Sequence, residues 1–408
     1  MHEHPQARLI VDTLVQHGFI AYYAGGWVRD FLLQRESDDI DIATNALPET
    51  IQQLFPHTVP IGIAFGIILV IIDGHQYEVA TFRQDIGSLD GRRPKSVAFS
   101  SAEEDAKRRD FTINGMFYDP IKEEILDFVG GREDLKARII RAIGNPHERI
   151  REDRLRMIRG SRLACRFHFS IEKATEDAIR SHAKELFPAV AIERICQEFA
   201  KALAFGTLRP MLIQLHDFGL LPSIFPALGQ VSLEEIQKRL EPLKEFPKEA
   251  PLIAHLLELF PEYQLQDALK LAESLKLSRQ DLLFVSYWFQ MKTHFQENKG
   301  DLWQWAHLYA DPLFPICLSL QEIHLAKSER EEFVKHHQKR IQTLYPAIER
   351  IQTKNPLVKA QDLIELGIAP GEKMGILLKE AEKISINEEL QDKAAVLRLL
   401  QKTAFFDR

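Results

Sequence analysis

Residues 37–44, SDDIDIAT, set two aspartates, Asp39 and Asp41, on either side of Ile40 in a short apolar run. Side chains alternate along an extended strand, so Asp39 and Asp41 share one face while Ile40 and Ile42 share the other. Two carboxylates on one face repel each other unless a cation lies between them. The pair suits Mg2+, which takes oxygen ligands and completes its shell with water and substrate phosphates. Two such ions would favour in-line attack of a hydroxyl on an α-phosphate, activating the nucleophile and neutralising departing pyrophosphate. Asp38 faces away from the pair and is assigned no metal role. A lone Asp-x-Asp usually marks a solvated strand face. A glycine turn upstream shifts the balance towards a site: in GGWVRD, Gly25 and Gly26 let backbone N–H groups approach an anion where a strand gives way to a helix. Arg29 adds a cation one turn later. This arrangement suits a triphosphate. Glu78, in QYEVATF, shares a strand face with Ala80 and Phe82. It is either a third metal ligand or an exposed strand residue.

These residues need elements to carry them. IAYYAGG reads as a strand ending in the two glycines, WVRDFLLQ as helix and DDIDIAT as a second strand. LPETIQQLF starts a helix with Pro48 in its first turn, where a missing N–H costs little. GIILVIIDGHQYEVATF reads as a hairpin, with Asp73-Gly74 turning between Ile67–Ile72 and Gln76–Phe82. The first 130 or so residues thus form a small mixed α/β domain. From about Glu152 onward, apolar residues recur at three- and four-residue spacing in EDRLRMIRGSRLACRF, EKATEDAIRSHAKEL and ERICQEFAKALAF. Prolines 222, 226, 242, 247 and 251 interrupt the helical pattern, and no strong strand signal follows about residue 145. Two short helical pieces meet at Pro370-Gly371.

A chain of 408 residues suggests about two to four domains. Its 45% hydrophobic and 27% charged content is that of a soluble globular protein. No apolar run reaches the roughly 18 residues of a membrane span, and the N-terminus lacks the basic-then-apolar pattern of a secretory signal. Cys165, Cys196 and Cys317 form neither a CxxC pair nor a zinc spacing, which fits a reducing cytoplasm. The net charge of −7 does not advertise a nucleic-acid binder. It hides a local bias: Arg132–Arg166 holds ten arginines and one lysine against five acids. That cluster suits phosphate recognition or, equally, a solvated helix face. His216-Asp217 lacks the partners of an HD phosphohydrolase, and KHHQKR at 335–340 reads as decoration of a solvated helix.

Five stretches in one order resemble the class II tRNA nucleotidyltransferases: GGWVRDFLLQ with DDIDIAT, then DGRRPKSVAF, EEDAKRRDFTINGMFYD, ILDFVGG and REDRLRMIRGSRLACRF. That family comprises CCA-adding enzymes, their CC- and A-adding relatives and bacterial poly(A) polymerases. The resemblance implies an α+β, polymerase-beta-like nucleotidyltransferase head followed by an all-α neck, body and tail, at about 1–145, 146–210, 211–345 and 346–408. It implies a template-independent enzyme that adds the 3′-terminal CCA, or the terminal A alone, to tRNA from CTP and ATP with Mg2+, in the cytoplasm, with no DNA or membrane partner. The runners-up are a poly(A) polymerase and an inert RNA-binding protein on the same scaffold.

By the same resemblance, Asp39 and Asp41 match the metal pair, and Arg109, Asp110 and Asn114 match a ribose-recognition motif able to bond a 2′-hydroxyl. Without it, RRD reads as a charge run with a helix cap. Asp153 and Arg156 of EDRLR match the base-reading motif. Three residues apart on a helix, they lie side by side. An aspartate accepts from an exocyclic amino group and an arginine donates to a ring nitrogen, so the fork fits cytosine and adenine and leaves polar groups unpaired with uracil or guanine. Taken alone, the pair is an ordinary ion pair. Arg159 stays near this fork, towards triphosphate or RNA, and Arg162 turns towards another surface. The stretch 83–99, with Gly87, Gly91 and Pro94, matches a flexible loop that CC-only enzymes lack, which argues for A addition. IGIAFGIILV resembles the CCA- and A-adding type, and the GRRF-like stretch of poly(A) polymerases is missing.

Overall fold

Strand β1 (Ala21–Ala24) runs antiparallel to β2 (Asp41–Thr44), pairing Ala24 with Asp41. β2 runs parallel to a later strand, with Ile42 opposite Val79 and therefore Asp41 alongside Glu78. These pairs form the middle of a seven-stranded mixed sheet in a computed structural model that describes residues 4–37, 39–88 and 94–407, with backbone alone at 64, 85–88, 94–97 and 407. Asp38 and Gly91 lie outside the described residues. Along the chain come β3 (Thr58–Gly62), β4 (Ile67–Ile72), β5 (His75–Thr81), β6 (Arg83–Ser88), β7 (Pro94–Phe99), β8 (Met116–Asp119) and β9 (Glu124–Asp127). The sheet order is β3-β4-β5-β2-β1-β8-β9. The β4–β5 hairpin turns at Asp73 and Gly74, both at positive φ, as a two-residue turn between twisted strands requires.

Alternation gives this sheet two unlike faces. Ile42, Val79, Ile68 and Val70 point into a core with Ile10, Val11 and Leu14 of α1 (Pro5–Gln16), Trp27 and Val28 of α2 (Gly26–Leu32), and Ile51 of α3 (Pro48–Leu54). Each such side chain contributes about 1.5–3 kcal/mol when fully buried. The other face carries small residues, Ala24 and Ala43, beside Phe82 and Phe117. Small side chains there leave room for a ligand above Asp41. The Asp39/Asp41 alternation holds, with Ile40 and Ile42 buried, although Asp39 sits just before the strand proper.

A 3-10 turn at Thr112–Asn114 follows α4 (Ala102–Lys107) and presents Asn114. Gly131, which opens α5 (Gly131–Ala137), packs against that turn. A Cβ on Gly131 would sit 2.3 Å from the Thr112 carbonyl oxygen and 2.8 Å from Met116 Cγ. Gly131→Ala is therefore expected to lower stability by about 1–3 kcal/mol, measured by denaturant unfolding.

Three expectations change. The stretch 83–99, expected as a flexible loop, carries strand where described: β6 and β7 form an antiparallel ladder from Arg83↔Phe99 to Ser88↔Pro94. Strand structure also continues past residue 145, since β10 (Ile139–Ile140) pairs in parallel with β11 (Ser170–Ile171). Pairs that short carry no periodicity to read. KHHQKR is not wholly solvated either. In the helix Lys327–Gln352, His337 is buried, receives the Tyr309 hydroxyl at 2.9 Å, and is pushed down to about 4 by burial.

The described chain divides into two units, Met1–Gln237 and Lys238–Arg408. The first holds the sheet and the helices α6 (Pro146–Glu152), α7 (Leu155–Phe167), α8 (Lys173–His182) and α9 (Ile192–Ala204). The second is helical, and its last helices close on Leu363, Leu377, Val396 and Leu400. None of the described helices is long and apolar enough to cross a membrane.

Candidate active site

A cavity of about 950 Å³ lies over the small-residue face of the sheet. All thirteen residues singled out from the sequence line it: Gly25, Gly26, Arg29, Asp39, Asp41, Glu78, Arg109, Asp110, Asn114, Asp153, Arg156, Arg159 and Arg162. Residues more than a hundred positions apart thus meet at one place.

The glycine turn forms one wall. Gly25 has φ 69° and ψ −131°, a region that side chains avoid. A Cβ there would lie 3.3 Å from Arg109 Nη1 and 3.4 Å from Asp41 Oδ2, so backbone, guanidinium and carboxylate close on one point. Burial raises the Asp41 carboxyl from 3.8 to about 6, and the charges of Asp39 and Glu78 push the same way. Among the described residues no hydrogen bond is donated to the side-chain carboxylates of Asp39 and Asp41. Clustered carboxylate oxygens without donors are the ligand set of a hard divalent cation. Yet no group of three His, Cys, Asp or Glu side chains among the described residues converges closely enough to hold a metal. Glu78 shares the cavity and its electrostatics without completing a three-ligand cage.

Behind the turn runs a continuous polar network. Buried Arg29 donates to Asp30 Oδ1 at 2.8–2.9 Å and to Asn114 Oδ1 at 2.6 Å. Asn114 Nδ2 donates to Asp110 Oδ1 at 3.1 Å, and Arg159 holds Asp110 Oδ2 at 2.6–2.8 Å. Burial alone would raise the Asp110 carboxyl. The Arg159 charge, the Asn114 amide and Arg156 outweigh it and hold Asp110 far below the usual carboxylate range. Arg109 is fixed by Asp105 at 3.0 Å and lies over the Phe117 ring. A ribose would thus meet preset donors and acceptors.

The base-reading pair needs correction. Asp153 and Arg156 are not neighbours on one helix. Asp153 lies in the break between α6 and α7, with extended backbone (φ −147°, ψ 103°), and its carboxylate caps the Leu155 N–H at 3.1 Å. Its ion partner is Arg194 of α9, bidentate at 2.7 and 3.1 Å. Arg156 instead binds Glu152 at 2.8 Å and the carbonyls of Arg149 and Arg108, tying α6 and α4 to α7. Both still line the cavity. Arg162 does turn from the fork. It is buried against Glu198 of α9 at 2.5 Å and keeps an edge on the same cavity. Sequence reasoning missed Arg194 and Glu198. Their signal was faint: Arg194 and Glu198 stand four apart in the amphipathic run ERICQEFAK. The structure buries Glu198 at 3% exposure.

Residues 21–141 match the family described as "Poly A polymerase head domain", and residues 168–231 the one described as "Probable RNA and SrmB- binding site of polymerase A". The CCA-adding enzyme of Enterococcus faecalis is 35% identical over 407 residues, spanning 97% of this chain and 95% of that protein. The chain belongs to the CCA-adding enzyme family. The CCA-adding enzyme of Bacillus cytotoxicus is 48% identical over 199 residues, about half (50%) of that relative's length. Among solved structures, the Bacillus stearothermophilus CCA-adding enzyme in complex with CTP superposes with a TM-score of 0.74 at 29% identity, covering 98% of both chains. The Thermotoga maritima CCA-adding enzyme complexed with tRNA, at 21% identity and a TM-score of 0.65, shares the fold. Members of the CCA-adding family generally use a divalent metal, which fits Asp39 and Asp41, whose carboxylates accept no hydrogen bond among the described residues. The head with its mixed sheet, followed by helices, is the architecture of CCA-adding enzymes. Within that architecture Gly25→Ala is expected to cut nucleotide incorporation by about 10–100-fold, the effect of about 1.4–3 kcal/mol of strain at the turn. Steady-state incorporation kinetics measure it.

Proposed function

We propose that this chain adds the 3′-terminal CCA to tRNA from CTP and ATP, releasing pyrophosphate, with Mg2+ as the ion at Asp39 and Asp41. The observation that carries the reading is the pair of donor-free carboxylates, Asp39 and Asp41, under a cavity that also holds the Asp153 carboxylate and the Arg109–Asp110–Asn114 cluster. When bound, the divalent ion supplies nucleophile activation and charge neutralisation on the phosphates. The chain's own residues do the rest. Gly25 and Gly26 bring backbone N–H groups to the phosphates, and buried Arg29 supplies positive potential behind them. Arg109, Asp110 and Asn114 orient the ribose. Asp153 accepts from the amino group that cytosine and adenine share, and Arg156, on the same cavity, donates through the N–H groups that Glu152 and the carbonyls of Arg149 and Arg108 leave free. Glu78 adds negative charge that favours cation uptake. We assign residues 1–145 to the catalytic head, 146–210 to the base-reading neck, and 211–345 and 346–408 to a body and a tail that grip tRNA through phosphate and shape.

An incorporation assay tests this. A tRNA ending before its CCA is incubated with Mg2+ and CTP, ATP or both. Addition that stops after CCA is the expected result. A long A tract would mark a poly(A) polymerase, and A added only to a supplied CC end would mark an A-adding enzyme. Binding of tRNA with no incorporation would mark an inert RNA-binding scaffold and overturn the proposal.

A further inference from the structure

The cavity continues past the groups that the proposed reaction uses, to Arg166 and Lys201 beside Phe205. Arg166 Nη2 reaches Asp30 Oδ2 at 3.4 Å while Arg29 holds Asp30 Oδ1 at 2.8 Å. One buried carboxylate is therefore shared by two guanidiniums. The Arg166 Cζ lies 3.8 Å from the ring centre of Phe205, a residue 47% exposed. Among the described residues its Nε is buried without a hydrogen-bond partner. Close by, Glu198 neutralises Arg162 and draws Lys201 Nζ to 3.7 Å. Arg159, held by Asp110 at 2.6 Å, also lies 4.0 Å from Glu198. Three carboxylates, Asp30, Asp110 and Glu198, thus face five cations: Arg29, Arg159, Arg162, Arg166 and Lys201.

The excess of positive charge has a cost. Burial lowers both Arg29 and Arg166 from the usual arginine range, and the charge of Arg162 lowers each further. A chain that gathers like charges at the end of an open cleft, and fixes them with a shared carboxylate and an aromatic wall, has built an oxyanion site. Its position decides which oxyanion. Arg166 lies ten residues, about 15 Å, along α7 from Arg156. That matches a nucleotide stretched from its base to its last phosphate. The Asp30 link also places Arg166 beside the Arg29 wall, where the phosphates run.

We propose that Arg166, backed by Lys201, holds the outermost phosphate of the incoming nucleotide and then the departing pyrophosphate. This deepens the proposed function and rests on it. A phosphate of the RNA backbone offers the same chemistry, so the test separates the two sources.

The full-length protein and its Arg166→Gln, Arg166→Lys and Lys201→Gln variants are titrated calorimetrically, in Mg2+, with inorganic pyrophosphate, CTP, CMP and tRNA. Arg166→Gln is expected to weaken pyrophosphate and CTP about tenfold or more, as loss of a charge-assisted bond implies. CMP and tRNA should hold within about twofold, and Arg166→Lys should recover part of the loss. Unchanged pyrophosphate binding overturns the proposal, as does a fall in melting temperature alone. Weaker tRNA binding with a shallower salt dependence, pyrophosphate being unaffected, gives the site to the RNA backbone and overturns it too. Should Arg166→Gln fail to fold, the exposed Lys201 decides: Lys201→Gln is expected to weaken pyrophosphate about threefold, and no change refutes the idea. Because pyrophosphate binding needs no turnover, a protein that binds it through Arg166 but incorporates nothing would sink the nucleotidyltransfer reading and leave the site standing.

Discussion

Replacing Asp41 with asparagine is expected to cut nucleotide incorporation by about a thousandfold or more, ~4 kcal/mol, and to raise the melting temperature of the metal-free protein. Both effects come from one carboxylate. Burial, with Asp39 and Glu78 adding to it, moves this group from 3.8 to about 6, so its ionised form is disfavoured in the folded chain. Near pH 7 that form is present, at a cost of up to about 3 kcal/mol, less as solvent reaches the cavity. The sign follows from proton uptake. Between about pH 4 and about pH 6 the folded state binds the proton more tightly than the unfolded state, so this group's contribution to stability falls as pH rises through that window. A neutral amide in its place carries no such cost. The gap in melting temperature, about 2–4 °C per kcal/mol, should be widest above about pH 6 in a chelator. It should close towards about pH 4, and narrow near neutrality when Mg2+ saturates the wild type. Asp39→Asn separates the two effects. Asp39 is exposed, so the same loss of incorporation is expected without a comparable thermal gain. Mg2+ binding by the wild type should weaken as pH drops below about 6. An Asp41→Asn protein that incorporates within tenfold of wild type, or melts no higher in chelator, would remove the cation site from under the whole reading.

What the sequence disclosed and what it hid divide along a physical line. Strand β2, the β4–β5 hairpin and the glycine turn are local: period-two alternation, an Asp-Gly turn and a Gly-Gly break each specify their own backbone. These elements carry Asp39, Asp41, Glu78 and Gly25, and the structure gathers all four in one cavity. Where position depends on a partner far along the chain, spacing misleads. EDRLR satisfies a helical pattern, yet Arg194, forty-one residues on, holds Asp153 in a break between two helices. His337 sits in a polar-looking run and is buried because Trp305, Tyr309 and Phe333 close round it. The ion pair of Arg162 with Glu198 spans thirty-six residues, and neither residue's local sequence names its partner. Residue types were legible where their own strand fixes them. The pairing that tunes them was not.

On the proposed reading, that non-local pairing bears on the second large effect, the choice of nucleotide. Asp153→Ala is expected to lower kcat/KM for CTP and ATP by about 100-fold or more, ~3 kcal/mol, while UTP and GTP change little. The ratio of CTP to UTP incorporation therefore collapses. Cytosine and adenine both place an amino donor beside a ring-nitrogen acceptor. A carboxylate offers up to about four acceptor positions. Asp153 spends two on Arg194 and one on the Leu155 N–H, which holds one acceptor direction for the amino group. Uracil and guanine would set a carbonyl oxygen against that carboxylate, and on the proposed reading the repulsion would do the rejecting. On that reading discrimination would depend on the carboxylate not rotating. Arg194→Met frees it and is expected to erode the CTP:UTP ratio about tenfold, with little change in KM for tRNA. Arg194→Lys should recover only part of that, because an ammonium cannot hold both oxygens in a planar fork. Competition between CTP and UTP on one tRNA measures the ratio directly. If Asp153→Ala discriminates as well as wild type, the base is read elsewhere in the cavity and Asp153 is only a helix cap. If Arg194→Met discriminates fully while Asp153→Ala does not, the carboxylate needs no clamp, and its rigidity comes from the Leu155 N–H alone.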